Sequence, residues 1–340
     1  MTALKPPEQT ATVRVRPHLR ELPLRVGTRG SPLALVQTRA FLAVLRHFCP
    51  VLRQLDVFEE HPITTTGDRV QDRRLAEIGG KGLFAKEIHE ALVDRRIDFA
   101  VHSLKDLETA LPPGIVLACT LRREDARDAL ILGPGCGVPD PQDPLAALPA
   151  GARLGTASVR RQAQLMAARP DLSIVPLRGN VGTRLAKIGA QGSGNGDLAA
   201  GVLALAGLRR LDIAGGPNVV PLDVETMVPA AGQGIIGVTV RTDDVELREL
   251  LAAIEDGEAA AVATAERALL AALDGSCRTP IGGHARLLPG GLLRLVGLVA
   301  RADGTFLIKR SLAGRAAEAA GIGRELGLSL RADSPPDIFA

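Results

Sequence analysis

The chain has no tryptophan and no tyrosine, and only 7 of its 340 residues are phenylalanine. Its cores must therefore be built from Ala, Leu, Val and Ile. Nothing is left for the stacked aromatic platforms on which many single-strand nucleic-acid binders depend. Cysteine is scarce too. Cys49, Cys119, Cys136 and Cys277 stand at wide, irregular spacing, with no CxxC pair and no Cys/His metal spacing, so neither a disulfide framework nor a metal centre is expected. No run approaches the ~18 apolar residues of a membrane span; the longest candidate is about 199–208. Residues 1–24 carry Lys5, Glu8 and several Arg without an apolar segment, unlike a secretory signal. A net charge of +3 gives no global field to gather a polyanion. We expect a reduced, cytoplasmic protein with no nucleic-acid or membrane partner, whose residues 1–21 form a loose, disordered extension.

What is present is ordinary for a globular chain, with 46% hydrophobic and 23% charged residues. At ~150 residues per domain the length implies two or three domains. The 41 basic residues are lopsided, since 6 are Lys and the rest Arg. Codon bias explains that; so does a need for planar two-pronged donors to carboxylates, which Lys cannot supply. Placement has to separate the two.

From residue 24 onward, short apolar runs alternate with amphipathic stretches, the pattern of an α/β protein. Strands are expected at 24–27, 55–65, 98–102 and 114–120, and helices at 31–47 and 83–95. Ser31-Pro32 opens the first helix as N-cap and first-turn proline. The charged, Gly-rich stretch 67–81 reads as a loop. After the Pro/Gly-rich stretch 133–151 the pattern restarts: strand 153–155, helix 158–169, strand 172–176, helix 181–188 and a flexible turn at 189–196. Helices at 245–254 and 259–273 follow, then strands at 283–288, 292–300 and 305–311 and a last helix at 315–328. The final ~85 residues read as a separate small α+β domain.

One internal echo stands out. Gly27-Thr28-Arg29-Gly30-Ser31 and Gly155-Thr156-Ala157-Ser158 both sit at a strand end and place Ser at a helix start, where unpaired N–H groups favour anions. Arg29 flanks one, Arg160 and Arg161 the other. Such turns are also common by chance. If the echo is real, two similar lobes face a shared cleft and can close as a hinge. Arg178 and Arg184 lie at a further strand-to-helix turn. Arg209 and Arg210 join them or form a solvated helix end. Asp106 follows a short apolar strand, where α/β sheets face their ligands, and could stabilise a cation or serve as a cap. Cys277, in a Gly/Pro-bounded loop beside Arg278, is a candidate attachment thiol because a cationic neighbour favours thiolate.

Seven ordered motifs then resemble one family. They are Thr28-Arg29-Gly30-Ser31-Pro32-Leu33-Ala34-Leu35, Gly79-Gly80-Lys81-Gly82-Leu83-Phe84, His102-Ser103-Leu104-Lys105-Asp106, Ser158-Val159-Arg160-Arg161-Gln162, Leu177-Arg178-Gly179-Asn180-Val181-Gly182-Thr183-Arg184, Ala231-Gly232-Gln233-Gly234 and Cys277-Arg278-Thr279-Pro280-Ile281-Gly282. They are similar to the hydroxymethylbilane synthase, or porphobilinogen deaminase, family from about residue 24 to the C-terminus. Glu108 departs from the pattern by standing where Pro is usual, and 197–202 lacks the usual aromatic.

The resemblance implies two binding-protein-like α/β lobes, the first discontinuous, plus a small C-terminal α+β domain. The expected division is 22–123 with 234–254, then 124–233, then 255–340. It implies a monomeric transferase that condenses four porphobilinogen molecules, with loss of ammonia, into linear hydroxymethylbilane. It also implies a dipyrromethane cofactor joined to Cys277 by a thioether, and no metal. Asp106 matches the catalytic carboxylate. Arg29, Ser31, Lys81, Lys105, Ser158, Arg160, Arg161, Arg178, Arg184 and Arg210 match substrate- and cofactor-binding positions, and 67–81 would cover the cleft. A non-catalytic two-lobed binder of a small polycarboxylate is the alternative; it has no use for Cys277.

Overall fold

The computed structural model describes residues 22–53, 57–70, 82–189, 198–274 and 279–339. The extension over 1–21, most of the loop with Lys81, most of the turn at 189–196, and Cys277 lie outside the described residues.

The first sheet is built from β1 (Leu24–Arg29), β2 (Phe58–Ile63), β3 (Phe99–Ser103), β4 (Ile115–Thr120) and β10 (Ile236–Arg241), in the order β2-β1-β3-β10-β4. β1 pairs parallel with β2 and β3, while β10 runs antiparallel between β3 and β4. The second is built from β5 (Asp128–Leu132), β6 (Arg153–Gly155), β7 (Ser173–Val175), β8 (Ala200–Ala204) and β9 (Val219–Pro221), in the order β7-β6-β8-β5-β9. Here β5 is the antiparallel strand, between β8 and β9. The two sheets thus share one plan, with β1 and β6 in equivalent places. In each, the antiparallel strand is the one that the chain enters from the other lobe, through 121–127 into β5 and through 222–235 into β10.

Helices α1 (Pro32–Phe48), α2 (Thr66–Arg69) and α3 (Lys86–Val93) belong to the first lobe, and α4 (Val159–Ala168), α5 (Val181–Ala186) and α6 (Leu205–Arg210) to the second; α7 (Val245–Ala252) follows β10. Ser31 caps α1 by accepting from the Ala34 amide at 3.3 Å, with Pro32 in the first turn. The buried stripe Gln37, Thr38, Phe41, Leu42 and Leu45 is the helical periodicity that packs α1 onto the sheet.

The C-terminal unit is an antiparallel meander of β11 (Ile281–Leu288), β12 (Leu292–Ala300) and β13 (Leu307–Arg315), with α8 (Gly257–Ala272) and α9 (Ala319–Ala332) packed together against it. A Cβ on Gly323 would stand 2.2 Å from the Ala265 carbonyl oxygen, so α9 approaches the α8 backbone closer than any side chain allows. Gly323→Ala must push the helices apart and is expected to cost about 1–3 kcal/mol. Calorimetry should show a lower melting temperature, and an unchanged one would mean that the contact is not rigid.

Three sequence readings are corrected. The last helix starts at Ala319, not 315, because β13 stays in register with β12 as far as Arg315. The loop expected from 67 begins inside a helical turn, since Asp68 accepts from the Thr65 amide and hydroxyl and so closes a cap. β5 and β8 escaped assignment: both are wholly apolar after their first residue and nearly all buried, so neither alternates. The described helices include none long and apolar enough to cross a membrane.

Candidate functional site

A cavity of about 700 Å³ lies between the lobes, lined by the strand-to-helix turns of both sheets and by Leu270, Thr279 and Ile281 of the C-terminal unit. The internal echo is structural. Gly30 and Ser31 face the cavity from the turn after β1, and Ala157 and Ser158 from the turn after β6. Ser158 caps α4 as Ser31 caps α1, accepting from the Arg161 amide at 3.4 Å.

Arg160 and Arg161, buried on the first turn of α4, converge on one carboxylate. Asp128, the fully buried first residue of β5, meets Arg160 Nη1 at 2.9 Å through Oδ2 and accepts from Arg161 Nε and Nη2 at 3.1 and 2.8 Å through Oδ1. Burial alone would raise the Asp128 pKa; the two guanidiniums outweigh it and hold the carboxyl well below the usual range. Gln233, from the second crossing, donates to the same Oδ1 at 2.8 Å and to the Ala126 carbonyl at 2.7 Å. Its own carbonyl accepts from Lys105 Nζ at 3.2 Å. Lys105 and Asp106 occupy a single 3-10 turn directly after β3. Burial, then the Arg161 charge, pushes Lys105 down to about 8 against the pull of Asp106 and Asp128.

Asp106 faces the cavity with 27% of its side chain exposed, 3.5 Å from Arg29 Nη1. Arg29 is also paired with Asp68 through Nη2 and Nε, and its guanidinium stacks 4.3 Å from the Phe84 ring centre. Arg178 reaches from the second lobe to the first, donating to the Gly67 and Val70 carbonyls at 3.2 and 2.7 Å. Arg184 donates to the Gly179 carbonyl, and burial followed by the charges of Arg161 and Arg178 brings it down to about 10. His102 lines the same cavity but is neutral. Burial first, then His89 and Arg29, push it down to about 3.

The structure thus brings Arg29, Ser31, Lys105, Asp106, Ser158, Arg160, Arg161, Arg178 and Arg184 around one cleft. It does not bring Arg210 there. That side chain donates to the Gly234 carbonyl of the crossing at 2.7 Å, and Arg209 pairs with Glu124. Gly234 itself has φ +89° and would place a Cβ 2.3 Å from the Glu124 carbonyl, which is why the two crossings can touch only at a glycine. Asp68, Asp128 and Gln233 were missed as site residues. For Asp128 there was one signal, a lone carboxylate opening an apolar strand that must be buried.

Two family models match the chain: one described as "Porphobilinogen deaminase, dipyromethane cofactor binding domain" over residues 24–249, the other as "Porphobilinogen deaminase, C-terminal domain" over 260–332. The porphobilinogen deaminase of Paracoccus denitrificans is 46% identical over 323 residues, covering 93% of this chain and 96% of that protein. That of Syntrophobacter fumaroxidans is 45% identical over 309 residues, covering 90% and 94%. Among solved structures, an ancestral cationic amino acid solute binding protein is 14% identical, with a TM-score of 0.39 over 68% of this chain and 87% of that one. With both models and near-half identity along almost its whole length, the chain belongs to the porphobilinogen deaminase family.

Proposed function

We propose that this cleft condenses four porphobilinogen molecules head to tail, releasing one ammonia each time, into the linear hydroxymethylbilane of tetrapyrrole biosynthesis. The observation that carries the reading is an imbalance of charge. Among the described residues, six cationic side chains line the cavity against the three carboxylates of Asp68, Asp106 and Glu108. Lys105 and Arg184 are both depressed by burial and by neighbouring cations, so incoming carboxylates relieve like-charge repulsion as well as gaining hydrogen bonds. Porphobilinogen carries an acetate and a propionate, and the growing chain adds a pair with every unit.

The same donor set fits a dipyrromethane, whose side chains are likewise carboxylates. Cys277 is the residue that would hold it, and Thr279, two residues further on, lines the cavity. When bound, the group supplies the nucleophilic pyrrole carbon on which the chain is built. The protein's own groups then do the following. Arg160, Arg161, Arg178, Arg184 and Lys105, with Lys81 by resemblance, bind carboxylates. Ser31 and Ser158 fix the helix starts that face the cleft. Arg29, held by Asp68, orients Asp106. Asp106 stabilises the cationic azafulvene left when porphobilinogen loses ammonia, because a preformed charge in a partly desolvated site costs no reorganisation during the reaction. Arg210 serves indirectly, by holding the crossing at Gly234.

The division into 22–123 with 234–254, 124–233 and 255–340 belongs to this proposal and is supported by the sheet membership of the strands. A cytoplasmic monomer is part of it as well. The test is consumption of porphobilinogen with one ammonia released per pyrrole; saturable binding without consumption would favour the polycarboxylate binder instead. A pH dependence follows too. Lys105 gives up its proton as pH rises through about 8, so kcat/KM should fall on the alkaline side there. A profile flat to pH 10 would remove Lys105 from binding.

A further inference from the structure

We propose that Asp128 is a positioning residue for this reaction, setting Arg160 and Arg161 of one lobe and, through the Gln233 amide, Lys105 of the other. The inference rests on the function proposed above. Asp128 is fully buried and touches three of its partners at 2.8–3.1 Å: Arg160, Arg161 and Gln233. Each guanidinium is also fixed by a carbonyl, Arg160 on Val228 at 2.6 Å and Arg161 on Val202 at 2.9 Å. A carboxylate and a carbonyl on each arginine leave little freedom of aim, which is the pre-organisation that recognition of a second carboxylate needs.

Gln233 extends the network across the lobes. Its N–H group serves Asp128 and Ala126, so its carbonyl must point the other way, at Lys105. Asp128 follows the first crossing and Gln233 lies in the second, so the network passes through both connections between the lobes. Opening of the cleft that separates Lys105 from the arginine pair has to break either the Lys105–Gln233 or the Gln233–Asp128 bond. A buried ion group is weak evidence for stability, since well-packed apolar residues often serve the fold as well. Its siting under the cleft floor points to alignment of the binding groups.

The test uses Asp128→Asn and Gln233→Leu in the full chain, with pH–rate profiles on porphobilinogen. Lys105 is faced by Asp106 on its own turn, Asp128 from β5, Gln233 from the crossing, and Arg160 and Arg161 from α4. Removing the Asp128 charge or the Gln233 carbonyl deletes a group that favours charged Lys105 and leaves the arginines that oppose it. In both variants the alkaline limb of kcat/KM should move to lower pH, and kcat/KM at pH 7 should fall about ten-fold or more. A residue that only supported the fold would lower the rate without moving the limb. Asp128→Asn strands two buried guanidiniums and can fail to fold; Gln233→Leu keeps Asp128 on both arginines and decides alone. A folded Gln233→Leu with its alkaline limb at the wild-type position overturns the proposal. Failure of the underlying function would look different, as a wild-type protein that consumes no porphobilinogen at any pH.

Discussion

Asp106→Asn is expected to lower turnover of porphobilinogen by about 10²–10³-fold while leaving the fold and the attached cofactor intact. Asparagine keeps the shape and can still accept from Arg29 Nη1, which lies 3.5 Å from Oδ2. Arg29 also keeps its second partner, Asp68. What disappears is one negative charge facing a cavity in which cations outnumber carboxylates two to one. Among the described residues, Glu108 is the one carboxylate of the cavity lining left beside Asp68. His102 is neutral and hydrogen-bonded to Thr239, Asp68 is committed to Arg29, and Asp128 to its arginines. The developing azafulvene cation would then meet a net positive wall. Steady-state turnover and circular dichroism on the same preparation check this. Turnover within about three-fold of wild type, a difference below one kcal/mol, would remove the electrostatic role.

Cys277→Ser should abolish activity and give a protein that melts lower and is more readily proteolysed. A serine hydroxyl is too weak a nucleophile to trap the electrophilic carbon, so no dipyrromethane is retained. The carboxylates that would bridge the arginines of the second lobe to the C-terminal unit are lost with it. A group bound only by the native state stabilises that state, and its loss is read directly as a lower melting temperature. Two of the other three cysteines, Cys119 and Cys136, are poor substitutes. Cys119 is buried in the first sheet with its thiol pushed up to about 12, and the Cys136 thiol, also raised by burial, donates to the Ala199 carbonyl. Turnover by Cys277→Ser at the wild-type rate would show that attachment is elsewhere or unnecessary.

Local chemistry was readable in the chain and non-local pairing was not. Ser31-Pro32 announced α1 because a cap and a first-turn proline act within four residues. The three C-terminal strands were expected near their observed places, and each pairs antiparallel with its neighbour in the chain. β5 is five residues long and covered on both faces, and its place after the first crossing depends on partners seventy and ninety residues away. The site divides the same way. Arg160 and Arg161 were expected to bind carboxylates, and in the structure both reach the carboxylate of Asp128. That the carboxylate they meet in this structure is the protein's own was not visible, because Asp128 lies 33 residues before Arg161. Gln233 stands between Gly232 and Gly234 in the chain. Its amide acquires meaning only when the two crossings lie side by side.

The central claim, a deaminating enzyme that builds its product on a pyrrole pair attached to Cys277, is tested most directly by the intact mass of the purified protein, before and after brief mixing with porphobilinogen. The native chain should be heavier than its sequence mass by two linked pyrroles, and mixing should add further masses in steps of one pyrrole unit. Cys277→Ser should stay at the bare sequence mass throughout. A wild-type chain that runs at its bare sequence mass and still consumes porphobilinogen would contradict the account.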